Sequence, residues 1–320
     1  MLTYSEQMRA LTDLESINKR KSRKTFDNDS QAIFMCTDKI PVILNIMGDV
    51  KKCMIPTSSG ESSIEMAARN IDVYTYDISS VSYYTEQLRI AATLMLEYKD
   101  FLSFFYMFES DEILSEKHYE KLRCALEPRA QYLLDKMFSS MSSIEIFDKL
   151  YDMLRLCPKF FERPKYYMDI ARSMFSVNNE EGFYQAKSVD LQSKIHYAQF
   201  DILDLDKSDY KDERDFDIVF FSNILYSLSI DEKILFVHML DEFYGEYLKH
   251  GGALINYFHS MDGLPRHLEF RQAWMDYHNL RSDEMQLLSN LSKEFYEIGE
   301  GVNGMGLYQN DIVHLIKRVC

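Results

Sequence analysis

The stretch KKCMIPTSSGESSIEMAARNIDVYTYD, residues 51–77, reads as strand, tight turn, helix and second strand. Lys52 to Pro56 is a short apolar-centred run, and Thr57-Ser58-Ser59-Gly60-Glu61 follows it as a turn small enough for backbone amides to approach a ligand. The helix start beyond that turn favours a carboxylate or phosphate, because its amides and dipole both attract negative charge. Ser62 with Glu65 has the spacing of a reciprocal cap, and Val73 to Tyr76 then reads as a strand that ends at Asp77.

Outward from this unit, His196 to Phe200, Asp217 to Phe221 and Ala253 to Phe258 read as further strands with helix-like segments between them. The Asp217 run is the clearest, since a short apolar stretch after the charged loop Asp212 to Asp215 suits a strand covered on both faces. Ser229 with Glu232 predicts another capped helix, ending at Lys249, His250 and Gly251. Glu294 to Ile298, a glycine-rich turn and Ile312 to Val319 predict a terminal antiparallel hairpin. Residues 100–194 hold helix-compatible runs, His118 to Met137 and Ser143 to Leu156 among them, with no strand signal, and are expected to form a helical insertion or cap. The fold expected is therefore α/β and Rossmann-like: a mostly parallel sheet ending in an antiparallel hairpin, in one domain over residues 1–320, with a helical insertion. That arrangement resembles the class I methyltransferase fold.

Candidate ligand-binding residues stand at the carboxyl ends of the predicted strands, where open α/β sheets bind ligands. Ser58, Ser59 and Gly60 follow the first. Asp77 ends the second, where an acidic side chain accepts hydrogen bonds from both ribose hydroxyls of an adenosine cofactor. Asp201 is placed to accept from an adenine amine, and Ser222 and Asn223 follow the Asp217 strand into the same crevice.

Composition narrows the function classes. With 51 acidic against 36 basic residues the 320-residue chain has a formal net charge of −15, which opposes attraction to nucleic acid or anionic lipid. The basic run from Lys19 to Lys24 reads as a solvated terminal stretch. The five cysteines show no metal-ligand spacing and read as reduced thiols of a cytoplasmic protein. No metal site is expected, no histidine is set by sequence beside a nucleophile, and no window is apolar enough for stable membrane insertion.

The segment DISSVSYYTEQLRIAATLMLEYKDF, residues 77–101, resembles the BtaA-like betaine-lipid synthase family, S-adenosylmethionine:diacylglycerol 3-amino-3-carboxypropyl transferases. That family carries a strand-end Asp, an Asn-Pro, a Glu-Leu-Lys, an Ala-Ala pair and a Tyr-x-Asp-Phe. Asp77, Leu88, Arg89, Ala91, Ala92, Tyr98, Asp100 and Phe101 fit it, while Ser79-Ser80 and Gln87 depart. The resemblance implies S-adenosyl-L-methionine as cofactor, with Gly60, Asp77 and Ser222 in its pocket. It further implies transfer of the aminocarboxypropyl group to an acceptor, a small molecule or a lipid, with release of methylthioadenosine. Methyl transfer on the same fold and a non-catalytic binding role are the alternatives. Tyr83, Tyr84 and Tyr226 are candidates to face a sulfonium, and Glu61 and Tyr226 are candidate bases. A lipid acceptor would call for an exposed apolar entrance, for which Phe101, Phe104, Phe105, Tyr106 and Phe108 are candidates.

Overall fold

The computed structural model describes residues 2–19, 32–33, 40–152, 164–222, 246–259, 291–300 and 310–318. In chain order the elements are α1 (Tyr4–Lys19), β1 (Ala32–Ile33), α2 (Ile40–Met47), β2 (Lys52–Pro56), α3 (Glu61–Ala68), β3 (Asp72–Asp77), α4 (Ser80–Met95) and α5 (Tyr98–Tyr106). There follow α6 (Glu116–Leu122), α7 (Pro128–Phe138), α8 (Ser143–Leu150), β4 (Tyr151–Asp152), α9 (Pro164–Met174), α10 (Glu180–Lys187) and α11 (Leu191–Lys194). The chain closes with β5 (Ile195–Gln199), β6 (Phe216–Ser222), β7 (Leu248–His259), β8 (Leu291–Glu300) and β9 (Asn310–Arg318).

A seven-stranded sheet has the order β5-β3-β2-β6-β7-β9-β8. β2 pairs in parallel with β3 and with β6, and β6 in parallel with β7. Among the described strands, β9 runs antiparallel to its neighbours β7 and β8. Every predicted strand is present with boundaries close to those read from its apolar run. β7 differs most: Lys249, His250 and Gly251, expected to finish a helix, lie inside this strand. Gly251 has φ +81 and the register with β6 shifts between Phe216 and Ile218, so the glycine serves a bulge and not a helix cap.

The chain divides into two compact units. Unit 1 comprises Met1–Pro41, Thr57–Asn70 and Asp77–Phe200, and unit 2 comprises Val42–Pro56, Ile71–Tyr76 and Asp201–Cys320. In unit 2 the strands are built around Cys53, Met54, Ile55, Val73, Ile218, Val219 and Phe220, all buried. Burial pushes the Cys53 thiol pKa up, which keeps it a small inert core group. The start of β2 is held by Asp217, whose Oδ2 accepts from the Lys51 and Lys52 amides at 2.8 and 2.9 Å and whose other oxygen pairs with Lys249.

Unit 1 is helical and buries α4 on nearly every side, from Ser80 to Thr93. Ser79 caps this helix through a bond from the Val81 amide. Two predictions in this unit need correction. The helix expected from His118 to Met137 is two helices, because Pro128 has no amide to continue one and instead starts α7. The run from Ser143 stops at Leu150, and Tyr151–Asp152 pairs in parallel with Ala32–Ile33 as a short two-stranded sheet, so the insertion does contain a strand. Phe101, Phe104, Phe105 and Tyr106 are buried and Phe108 is half-buried, so these rings form core and no exposed apolar entrance. Among the described residues no helix is long and apolar enough to cross a membrane, and no cluster of His, Cys, Asp and Glu could hold a metal.

Candidate functional site

Thr57 to Gly60 form a turn closed by the Gly60 amide donating to the Thr57 carbonyl at 2.9 Å. Ser58 has φ +53 and Gly60 φ +81. The left-handed region is easy for glycine and strained for serine. Gly60 is the N-cap of α3 and contributes no side-chain cap. The expected cap from Ser62 to Glu65 does not form, because both residues lie inside the helix and Glu65 instead accepts from Ser176 and the Val177 amide. A Cβ on Gly60 would stand 3.1 Å from Glu86 Cα. Gly60→Ala is therefore expected to cost about 2 kcal/mol, from left-handed strain and crowding of α4. Urea unfolding checks this, and an unchanged midpoint would contradict it.

The register places Pro56 opposite Tyr76, so Thr57 and Asp77 leave adjacent parallel strands side by side, ~4.8 Å apart. Asp77 is half-buried. Its Oδ1 accepts from the Ser79 amide at 2.9 Å and its Oδ2 from Ser82 Oγ at 2.7 Å. Burial pushes its pKa up to about 6, against the opposing pull of the bonds from Ser79, Ser82 and Ile78. Three of its roughly four lone-pair sites are filled by these bonds, which leaves room for a further donor.

The other predicted residues fall as follows. Ser59 is buried and its hydroxyl donates to Glu61 Oε2 at 3.0 Å. Glu61 is fully buried, and its Oε1 accepts from Tyr106 at 2.7 Å and Asn178 at 3.0 Å, with Arg89 Nη1 at 3.4 Å. A carboxylate so enclosed is an anchor of the local structure. In unit 2, Asp201 caps the 3-10 turn Ile202–Lys207 by accepting from the Leu203 amide at 3.0 Å. Ser222 ends β6, and Asn223 and Tyr226 lie outside the described residues. Tyr83 and Tyr84 are buried, with the Arg129 guanidinium 4.5 and 5.3 Å from their ring centres.

Sequence reasoning missed two arrangements. Arg89, the one basic residue in a helix buried from Ser80 to Thr93, donates its Nε to the Ser59 carbonyl at 3.0 Å and stacks 4.3 Å from the Phe105 ring centre. A charge amid Leu88, Ile90, Ala91 and Ala92 was the available signal. Ser115 Oγ lies 2.7 Å from His118 Nδ1, and His118 Nε2 lies 3.5 Å from Asp100. This row reverses the two ring nitrogens relative to a serine hydrolase triad, Ser115 is buried, and Asp100 is also taken by Lys121 at 2.6 Å. Its geometry is that of a helix start, with Ser115 as N-cap of α6.

The sheet order, with β2 as first strand, reads 3-2-1-4-5-7-6 with the seventh strand antiparallel, and this defines a Rossmann-like class I methyltransferase fold. The chain is similar to the N-methyltransferase NodS from Bradyrhizobium japonicum WM9 in complex with S-adenosyl-L-homocysteine, at 11% identity and TM-score 0.36, over 87% of this chain and 83% of that one. It is also similar to an O-methyltransferase from Bacillus cereus (13%, TM-score 0.34, 99% and 93%) and a methyltransferase from Methanosarcina mazei (12%, TM-score 0.38, 87% and 97%). No family model and no curated protein matches the sequence. The fold assignment rests on the strand order.

Proposed function

We propose that the chain binds S-adenosylmethionine at the turn of residues 57–60 and transfers its methyl group to a small acceptor. The observation that carries this reading is the side-by-side exit of Thr57 and Asp77 from adjacent strands, one leading to a helix start capped only by glycine and the other a carboxylate with acceptor capacity to spare. The first-turn amides of α3 suit the ligand's carboxylate and Asp77 suits its ribose hydroxyls. Thr57 Oγ1, buried and without a hydrogen-bond partner among the described residues, adds a polar group for a ligand to satisfy.

Electrostatics favours this ligand over a dinucleotide. Glu61 follows the turn, Glu86 lies against Gly60 and Asp77 ends the neighbouring strand, with Arg89 as the buried counter-charge. That balance opposes a pyrophosphate and suits a ligand whose sulfonium and ammonium outweigh its carboxylate. When bound, the sulfonium supplies an activated carbon, and the protein's part is to hold the acceptor in line and exclude water.

Aminocarboxypropyl transfer is the second reading, supported by the likeness of residues 77–101 to that family. Most of the matching residues, Leu88, Ala91, Ala92 and Phe101, are buried packing positions, which specify helix contacts more than an acceptor. Incubation with S-adenosylmethionine, with and without cell extract, followed by mass spectrometry separates the two. S-adenosylhomocysteine is expected. Methylthioadenosine above background would establish the second reading, and no affinity for S-adenosylmethionine or its products by calorimetry would overturn both.

A further inference from the structure

We infer that Arg89 is a positioning residue that fixes the Thr57–Gly60 turn from beneath, with Glu61 as its shared anchor; as a statement about ligand binding, this rests on the proposed S-adenosylmethionine site. Arg89 is 1% exposed and reaches the turn from α4, donating its Nε to the Ser59 carbonyl at 3.0 Å. Nη1 of the same guanidinium lies 3.4 Å from Glu61 Oε1 and 3.5 Å from the Tyr106 hydroxyl. Ser59 is thus held twice, by its carbonyl to Arg89 and by its hydroxyl to Glu61 Oε2.

The peptide plane carries the consequence. In a trans peptide the carbonyl and the next amide point in opposite directions. With the Ser59 carbonyl drawn to Arg89, the Gly60 amide is turned to the Thr57 carbonyl, the bond that closes the turn. The turn also holds Ser58 in the left-handed region, a conformation that persists only where the surroundings over-determine it. Arg89 and Glu61 supply that constraint. Tyr106 on α5 and Asn178 after α9 complete it by donating to the same Glu61 oxygen, so the helical insertion helps fix the turn.

The test compares wild type with Arg89→Met, Arg89→Lys and Tyr106→Phe. Amide hydrogen exchange over residues 57–63 is read without ligand, and the dissociation constant for S-adenosylhomocysteine by calorimetry. Arg89→Met is expected to speed exchange in this segment roughly tenfold or more relative to α7 and to weaken binding by a similar factor, on the scale of a lost charged hydrogen bond. Arg89→Lys keeps a charge for Glu61 but not the guanidinium fork, and is expected to recover part of both. Tyr106→Phe should show a smaller loss of the same kind. If Arg89→Met does not fold, the Arg89→Lys and Tyr106→Phe pair carries the comparison. Exchange over 57–63 unchanged in the variants would overturn the inference whatever the ligand. Faster exchange in the variants, with no binding by wild type, would leave Arg89 as the turn's support and sink the proposed function instead.

Discussion

Gly182→Ala is expected to destabilise the protein by about 3 kcal/mol, at the upper end of ordinary overpacking. A Cβ at this position in α10 would lie 2.1 Å from the Ser176 carbonyl oxygen, 2.4 Å from its carbon and 3.0 Å from the Val177 nitrogen. All three are backbone atoms, so no side chain can rotate aside. The crowded segment is the 3-10 turn Ser176–Asn178, which brings the Ser176 hydroxyl and Val177 amide onto buried Glu65 and the Asn178 amide onto buried Glu61. Moving it strips donors from two carboxylates that have no water to replace them. Gly48→Ala is the control. Its φ is +77 but nothing lies within 4 Å of the added carbon, so only left-handed strain of about 1 kcal/mol remains. Urea unfolding of both variants distinguishes them, and equal midpoints would show that the helix shifts without cost.

The contrast between these glycines shows what a sequence can and cannot carry. Strands β2, β3, β5 and β6 were legible because each is a short apolar run bounded by turn or charged residues, a signal confined to a few neighbours. Asp77 was legible for the same reason, as an acidic residue at a strand end. Arg89 and Asn178 act across longer separations: Arg89 reaches Ser59, 30 positions away, and Asn178 reaches Glu61, 117 positions away. The local pattern around Arg89 signals burial but not the partner it reaches, and around Asn178 it signals neither. Misreadings arose where a local rule had a distant competitor. The Ser62 and Glu65 spacing fits a reciprocal cap, yet Glu65 satisfies the turn at Ser176 and Gly60 takes the cap position. Lys249 to Gly251 fits a helix end, yet the residues make a bulge against β6, and Gly252 is so close to the Phe216 carbonyl, 2.8 Å from a would-be Cβ, that only glycine fits beside it.

Asp77→Ala is expected to weaken binding of S-adenosylhomocysteine by about 1.5 to 3 kcal/mol, roughly ten- to 150-fold, through loss of a charge-assisted acceptor for the ribose. The wild-type affinity should also depend on pH. Burial raises the Asp77 pKa to about 6 from an ordinary value near 3.8. Above pH 6 the carboxylate is ionised and accepts from the ribose, and below it a proton competes, so affinity should fall as pH falls through 6. Stability runs the other way. Because the folded pKa lies above the unfolded one, the native state holds this proton more tightly; the resulting stabilisation is fully present below about 3.8 and is lost as pH rises through 6. At neutral pH the fold thus keeps a partly desolvated charge at the mouth of its turn, a local cost characteristic of a binding site. Asp77→Asn removes that cost while retaining hydrogen-bonding shape. It should be at least as stable as wild type above pH 6, bind more weakly there, and lose the pH dependence of affinity between pH 5 and 7. Titration calorimetry and urea unfolding at pH 5, 6 and 7 read both quantities. An affinity profile that persists in Asp77→Asn would assign the titration to another group and remove Asp77 from the ribose position.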